Sequence, residues 1–378
     1  MSISVRKPVF HLVLCATLLL SWPPKDGETY GQYAPLISPP NINTRFHFDS
    51  ARALYLAGEY EQSLTELDLS EQSGEKVPRR PYYVALNHEQ LKQHDRAISI
   101  LAEFLKQSPK DEPAWLLLAT AQFYGGHFTT AASSARHALE LDAKDTSAYR
   151  ILGLADLKME RRDDAYKAWL SAVRANAKDA EPPYLIGRLF YESNRYEEAT
   201  KWFRRAVVLS PGNYRALYYW GLSCQTLGRL DEALTLYRRS MALNQSQGAK
   251  YSWVYGSLGK LLTRMGQEDE AQKVLEAGTI EAPDGVIFAA LGDLQLRQHR
   301  RPEAEASLRH AISLDPTLPD SYYTLGRVLH AEGRVAEAEA VMQTFNRVRL
   351  ATDARLHRVP ASGPSSELAL PEQLPDLH

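Results

Sequence analysis

Three side chains of the kind that bind zinc and activate water in metalloproteases lie close together in this chain. They are His88, Glu89 and His94. A metalloprotease helix carries its two histidines four residues apart on one face, whereas residues six apart on a helix lie about 240° apart around its axis. This spacing predicts no zinc site, and neither the other histidines nor the two cysteines offer a metal-ligand pattern.

A glycine-rich stretch ending in lysine is a second candidate for chemistry. Residues Gly256 to Lys260 have the sequence expected near the end of a phosphate-binding loop. The first glycine of that motif is missing, and Leu261 stands where a serine or threonine would hold magnesium. We therefore predict no bound nucleotide and no cofactor.

Pairs of neighbouring acidic residues could in principle perform acid–base catalysis. Each of three such pairs stands directly before an alanine: Asp163-Asp164, Glu197-Glu198 and Asp231-Glu232. Acidic side chains in the first turn of a helix are favoured by the helix dipole, which explains the pairs without catalysis. No G-x-S-x-G nucleophile motif is present either, so we predict no catalytic residues and a non-enzymatic protein.

Small residues recur along the chain with a period close to 34. Nine alanine or serine positions follow one another at intervals of 33 to 38 residues: Ser63, Ala97, Ala131, Ala165, Ala199, Ala233, Ala271, Ala304 and Ala338. Twelve residues before each lies another alanine or glycine, from Ala51 in the first unit to Gly326 in the last. Two small positions in every unit indicate two helices packed closely together.

Other residue types repeat in the same register. Four positions before the first small residue of a unit stands an aromatic residue, as at Trp115 and Tyr149. A leucine directly precedes that small residue, as at Leu118 and Leu152, and units close with prolines such as Pro211. In these features the chain resembles the tetratricopeptide repeat family, whose period is 34 residues.

The resemblance covers residues 44–352 and implies an all-α fold, a right-handed superhelical solenoid of antiparallel helix pairs. Since one helix pair cannot bury both of its faces, stacking the pairs creates a continuous core. Nine repeats are expected at 44–77, 78–111, 112–145, 146–179, 180–213, 214–251, 252–284, 285–318 and 319–352. The sixth repeat contains an insertion, Asn244 to Lys250, which we expect to project as a loop.

In this family the inner surface is formed by fixed positions of the first helix of each repeat. Carried over to repeats five and six, these positions place four tyrosines and two arginines in one concavity: Tyr184, Arg188, Tyr191, Arg215, Tyr218 and Tyr219. Tyrosine and arginine are typical of binding hot spots, which predicts a groove for an extended peptide or a partner protein. The alternatives are that these rings pack between neighbouring repeats, or that they stack on the rings of a carbohydrate.

The resemblance also allows one specific family function to be tested against the residues. Domains that bind chaperone tails need lysine at position five and asparagine at position nine of one repeat. The chain has Arg150 with Leu154 and Tyr184 with Arg188 at such positions, so that role is disfavoured. The charge is balanced, with 44 basic and 46 acidic residues, which predicts no nucleic-acid partner.

Residues 1–31 have the pattern of a signal peptide. Arg6 and Lys7 precede an apolar run of twelve residues, Val9 to Leu20, which is too short to span a bilayer about 30 Å thick. We expect export to the periplasm or the extracellular space, with cleavage before Gln32 and no membrane span in the mature chain. The alternative is a membrane anchor formed by an uncleaved N-terminal segment. Lipidation of Cys15 is disfavoured, because no small residue precedes it.

The remaining expectations concern the linker, the tail and two single residues. Prolines indicate an extended linker over 32–43, and prolines with serines indicate a disordered tail over 353–378. We expect Cys224 to be a buried apolar residue, because it follows a core glycine by three positions. Asn244 begins an N-x-S triplet, which would be glycosylated only in a eukaryotic secretory route.

Overall fold

The computed structural model describes the backbone of residues 47–356 and the side chains of residues 47–352. Within this range the chain forms eighteen helices and no strand. The helices are α1 (His47–Ala57), α2 (Tyr60–Gln72), α3 (Arg80–Gln90), α4 (His94–Gln107), α5 (Glu112–Tyr124), α6 (Phe128–Leu141), α7 (Thr146–Lys158), α8 (Arg162–Ala175), α9 (Glu181–Glu192), α10 (Tyr196–Leu209), α11 (Tyr214–Thr226), α12 (Leu230–Ser246), α13 (Ser252–Arg264), α14 (Glu268–Glu281), α15 (Gly285–Arg297), α16 (Arg301–Leu314), α17 (Pro319–Ala331) and α18 (Val335–Leu356).

The helices fall into two compact units. The first, up to Asp142, contains α1–α6, and the second, from Ala143, contains α7–α18. Within each unit every helix packs against the next one along the chain. One helix pair lies in each predicted repeat, with α18 continuing to Leu356. The prediction of an all-α repeat solenoid is confirmed.

Several sequence expectations fall at the ends of the chain. The predicted signal peptide, the linker and residues 357–378 of the predicted tail lie outside the described residues. From His47 to Leu356, none of the helices has both the length and the apolar character needed to cross a membrane.

Within a repeat, the two helices approach closely because a small residue on the first faces a large one on the second. A methyl group at Gly187 would lie 2.7 Å from ring carbons of Phe203, and one at Gly221 would lie 2.7 Å from a ring carbon of Tyr237. Both rings are fully buried. In both pairs the large residue follows the glycine by sixteen positions. Side-chain volumes on the two helices are therefore matched, as the close packing of protein interiors requires.

The turn between the two helices of a repeat contains a residue in the left-handed region. Gly228 has this conformation, with φ of 77°, between α11 and α12. Glycine suits it because it has no Cβ. The equivalent residues Glu160 and Asn194 adopt the same conformation at φ of 62° and 58°. Asparagine tolerates this conformation, whereas glutamate rarely adopts it, so at Glu160 packing of the helices imposes the turn.

The loop expected over Asn244 to Lys250 is shorter than predicted. Helix α12 continues through Ser246, and residues 247–251 connect it to α13. Asn244 is fully buried. Its Oδ1 accepts the backbone N–H of Tyr251 at 3.1 Å, and its Nδ2 lies 3.4 Å from the hydroxyl of Tyr255. The prediction was wrong for residues 244–246, because these buried hydrogen bonds favour a longer helix. In the folded chain the Asn244 amide is inaccessible to glycosylation.

The histidines and acidic pairs that were considered as metal ligands or catalytic groups occupy positions that the fold explains. His88 and His94 lie on different helices, α3 and α4, so the single helix assumed for them does not exist. His94 Nδ1 instead lies 2.9 Å from a carboxylate oxygen of Glu89. Within residues 47–352, no cluster of metal-binding side chains is found. The three acidic pairs occupy the first turns of α8, α10 and α12, as predicted.

We expect Gly221→Ala to destabilise the fold, because the added methyl group would clash with the buried ring of Tyr237. Overpacking of this kind costs about 1–3 kcal/mol. A matched control is Gly326→Ala, whose methyl group would meet the flexible side chain of Met342. Alanine also favours a helix by about 1 kcal/mol over glycine, so we expect the control to be neutral or stabilising. Urea unfolding followed by circular dichroism measures both, and equal effects of the two substitutions would contradict the size-matching argument.

Candidate functional site

The six residues predicted to line the groove come together on two helices of the second unit. Helix α9 presents Tyr184, Arg188 and Tyr191 at i, i+4 and i+7, which share one helix face. Helix α11 contributes the other three at i, i+3 and i+4: Arg215, Tyr218 and Tyr219. We call these six residues, together with Tyr251 introduced below, the tyrosine face.

Tyr219 is the centre of the ring contacts that join the two helices. Its ring meets Tyr184 and Tyr191 edge-on, with centroids 6.2 and 5.7 Å away. The guanidinium of Arg188 lies 5.0 Å from its centroid, and Phe203 stacks on it at 5.9 Å. Edge-to-face and cation–π contacts of this kind each contribute about 0.5–1.5 kcal/mol. They hold the ring of Tyr219 in a defined orientation.

Burial divides the tyrosine face into two groups. Tyr184, Tyr218 and Arg215 are 2%, 3% and 8% exposed, so these three pack between repeats. Tyr191 and Tyr219 are partly exposed, and the side chain of Arg188 is 14% exposed. The interpretation that rings pack between repeats therefore holds for the buried three. Arg188, Tyr191 and Tyr219 form the partly exposed half of the set, for which a role in binding stays a prediction.

Arg188 is held in place by a second interaction. Its Nη2 donates to a carboxylate oxygen of Glu192 at 2.8 Å, one helical turn further along α9. A guanidinium fixed between a ring and a carboxylate keeps its remaining donors in a set geometry. It can offer hydrogen bonds to a ligand with little further loss of side-chain entropy.

The tyrosine hydroxyls act as neutral hydrogen-bonding groups. Burial raises the pKa of Tyr191 to about 12, and burial also raises the pKa values of Tyr184 and Tyr218 well above the ordinary 10. The hydroxyl of Tyr218 lies 3.1 Å from Oγ of Ser257 on α13. These phenols stay protonated at neutral pH, which suits binding rather than proton transfer.

Tyr251 belongs to the tyrosine face but was not predicted. It directly precedes α13, and its ring meets Tyr218 edge-on at 5.2 Å and lies 5.7 Å from the guanidinium of Arg215. Its position depends on the hydrogen bond that its backbone N–H donates to Asn244. It was not predicted because it directly follows the insertion Asn244 to Lys250, outside the fixed repeat positions.

A charged group lies beside the tyrosine face at the start of α9. Burial raises the pKa of Glu181 from the ordinary 4.5 to about 7, and Asp179 adds to this effect. The positive charges of Arg150, Arg215 and Arg188 oppose the shift, which shows that helices α7, α9 and α11 all direct arginines towards this carboxyl. Arg150 stands at an inner position of repeat four and could have been included from the sequence.

Two other groups of aromatic and basic side chains are smaller than the tyrosine face. In the first unit, Phe48 meets Tyr83 edge-on at 4.9 Å, with the guanidinium of Arg52 5.9 Å from the Phe48 ring. In the second unit, Arg327 lies 5.9 Å from the ring of Tyr323.

Cys224 is fully buried, as predicted, and burial raises the pKa of its thiol to about 12, so it is not a reactive thiol.

Comparison with known families identifies the repeats. Three family models, each described as tetratricopeptide repeat, match residues 82–111, residues 152–214 and 289–345, and residues 214–279. Together these ranges cover more than half of the chain. The comparison with curated proteins found no match.

Several solved structures are similar to this chain. The APC/C hetero-tetramer Cut9-Hcn1 is 14% identical, with a TM-score of 0.52, over 75% of this chain and 55% of that chain. This chain therefore spans about half the length of that relative. A tetratricopeptide repeat protein from Parabacteroides merdae is 17% identical over 66% of this chain and 97% of that one, with a TM-score of 0.49. The pilF protein of Pseudomonas aeruginosa is 19% identical over 56% of this chain and 94% of that one, also with a TM-score of 0.49.

Replacement of the buried carboxyl gives a test of its environment. Because the pKa of Glu181 is raised in the folded chain, the wild type loses stability as the pH rises from about 4.5 through about 7. Glu181→Gln does not titrate, so we expect the variant to gain about 1–3 kcal/mol over wild type at pH 8 and to approach it at pH 5. Thermal unfolding at the two pH values measures this difference.

A matched control is Glu197→Gln on α10, whose carboxylate is exposed and paired with Arg229 at 2.8 Å. We expect no gain in stability at pH 8 from that substitution. A difference between Glu181→Gln and wild type that is the same at both pH values would contradict the burial of Glu181.

Proposed function

Because the chain belongs to the tetratricopeptide repeat family, whose fold is a scaffold for protein interactions, we propose that it binds an extended peptide segment of a partner protein on the tyrosine face. The scaffold is non-enzymatic in this proposal. Binding brings the partner into an assembly outside the cytoplasm.

The observation that carries the proposal is the fixed and partly exposed group of Arg188, Tyr191 and Tyr219. Tyr219 is held by four side chains, and Arg188 is held by Tyr219 and Glu192. Aromatic and arginine side chains supply most of the energy at protein interfaces, and side chains that are already ordered lose little entropy on binding. An extended peptide could lay apolar side chains against the two rings and accept hydrogen bonds from Arg188.

A carbohydrate ligand is the alternative, and the ring contacts make it weaker. A sugar would need an open ring face on which to stack. On Tyr219, Phe203 already stacks on the ring and the guanidinium of Arg188 lies 5.0 Å from its centroid, so less of the ring is open for a sugar to stack on. A peptide side chain needs a smaller area of contact than a sugar ring does. A glycan array separates the two ligands.

Selection from a displayed library of random 12-residue peptides tests the proposed site. We expect the full chain to enrich peptides, and Tyr219→Ala to weaken their binding about 30-fold, which corresponds to about 2 kcal/mol at a hot spot. Fluorescence anisotropy with the selected peptides measures the affinity, and circular dichroism checks that helix content is kept.

Tyr323→Ala is the matched control for that experiment. It removes a tyrosine from an inner position of the ninth repeat, in the same unit, where the side chain is 46% exposed and lies on α17 rather than on α9 or α11. Peptide binding that is unchanged by Tyr219→Ala would show that the site lies elsewhere. Glycan binding that is lost on Tyr219→Ala, in the absence of peptide binding, would support the carbohydrate alternative.

We infer export from the basic residues and the short apolar run at the N-terminus. The expected mature N-terminus is Gln32, which sequencing of the protein purified from its source cells would identify. A chain that begins at Met1 in the membrane fraction would favour the uncleaved anchor. A chain that begins at Met1 in the cytosol would contradict export.

A further inference from the structure

Basic side chains outnumber acidic ones around the tyrosine face. Arg150 and Lys158 approach from α7, Arg188 lies on α9, and Arg215 lies on α11. Three acidic side chains stand against these four. Glu181 interacts with Arg150, Arg188 and Arg215, while Glu192 interacts with Arg188 and Lys158. Asp179 lies beside Glu181.

The negative charge of this group is reduced further by burial. The pKa of Glu181 is about 7, so near neutral pH a substantial fraction of molecules carry a neutral carboxyl there. The arginines keep their full positive charge, because arginine stays protonated in proteins. The surroundings of the tyrosine face are therefore positive under ordinary conditions.

One of the arginines has an unused donor. Arg150 is only 8% exposed, and its Nη1 has no hydrogen-bond partner among the described residues. A buried donor without a partner costs about 1–3 kcal/mol. A nearby anionic ligand group would reduce that cost, because the charge of a guanidinium acts over several ångströms in a poorly hydrated site.

The same bias extends along the second unit. In repeats four to nine, the positions that form the inner surface in this family hold eight basic and four acidic residues. Beyond those already named, the basic ones are Lys260, Arg264, Arg297 and Arg327, and the acidic ones are Asp293 and Asp320. The whole chain, in contrast, has a net charge of −2. Positive charge is thus concentrated at the inner positions.

We propose that the peptide segment bound by the tyrosine face is acidic, with glutamate or aspartate side chains directed towards Arg188 and Lys158, where the buried Arg150 and Arg215 add positive charge. This inference rests on the proposed function, since it specifies the chemistry of the same ligand. Apolar parts of the segment contact Tyr191 and Tyr219. Its carboxylates balance the excess positive charge, which confers selectivity and a faster association.

Three matched pools of fluorescent 12-residue peptides test the proposal. All have an amidated C-terminus and the same randomised neutral positions, and they carry four glutamates, four glutamines or four lysines at fixed places. We expect the full chain to bind the glutamate pool at least tenfold more tightly than the glutamine pool in 50 mM salt, and the lysine pool most weakly. Raising the salt to 500 mM should reduce the preference, because salt screens exposed charges.

Substitutions identify the charges responsible. We expect Lys158→Gln and Arg150→Gln each to lower the preference for glutamate over glutamine about threefold or more. Lys201→Gln on α10 removes one exposed positive charge away from the tyrosine face and should leave the preference unchanged. Helix content measured by circular dichroism checks the fold, and Lys158→Gln serves alone if Arg150→Gln does not fold.

Each outcome separates this inference from the proposed function. Equal binding of the glutamate and glutamine pools, lost on Tyr219→Ala, would overturn the acidic ligand while supporting the peptide site. No binding of any pool would overturn both proposals. A 12-residue oligothymidine that binds more tightly than the glutamate pool would overturn the acidic peptide in favour of nucleic acid.

Discussion

The close approach of the two helices in each repeat is the constraint on which the rest of the structure depends. It requires that a large side chain on the second helix be met by a glycine or alanine on the first, as Gly187 meets Phe203 and Gly221 meets Tyr237. These large residues also support the tyrosine face. Phe203 stacks on Tyr219, and Tyr237 lies 5.8 Å from Tyr218. The glycines therefore determine where the rings of the candidate site can lie.

This constraint also explains how far the sequence predicted the fold. Small residues at a fixed period indicate helix contacts, because only glycine leaves room where Trp169 or Phe203 approaches the partner helix. The helix pairs, the acidic first turns and the buried Cys224 follow from that record. The insertion in repeat six could not be placed in the same way. Its conformation depends on the hydrogen bonds of buried Asn244, which have no counterpart in the other repeats.

The sequence predicted which residues lie together in the candidate site, but it did not predict how exposed each of them is. Position within the repeat assigns Tyr184 and Tyr219 to the same surface, yet Tyr184 is buried and Tyr219 is partly open. Tyr184 packs against Phe203 of its own repeat and Tyr219 of the next, and the position of a residue within the repeat does not specify how far such contacts bury it. Tyr251 was not predicted because it lies outside the fixed repeat positions. It follows the insertion, and its ring contacts Tyr218.

The division into buried and exposed rings has a consequence for how such a surface binds. Tyr184 and Phe203 hold Tyr219, and Glu192 together with Tyr219 holds Arg188, so the exposed side chains are ordered before any ligand arrives. The entropy cost of ordering them is then met during folding rather than during binding. In the proposed function, affinity for a flexible peptide would be limited mainly by the ordering of the peptide itself. A small exposed surface, supported by a larger buried one, would then serve to bind an extended segment.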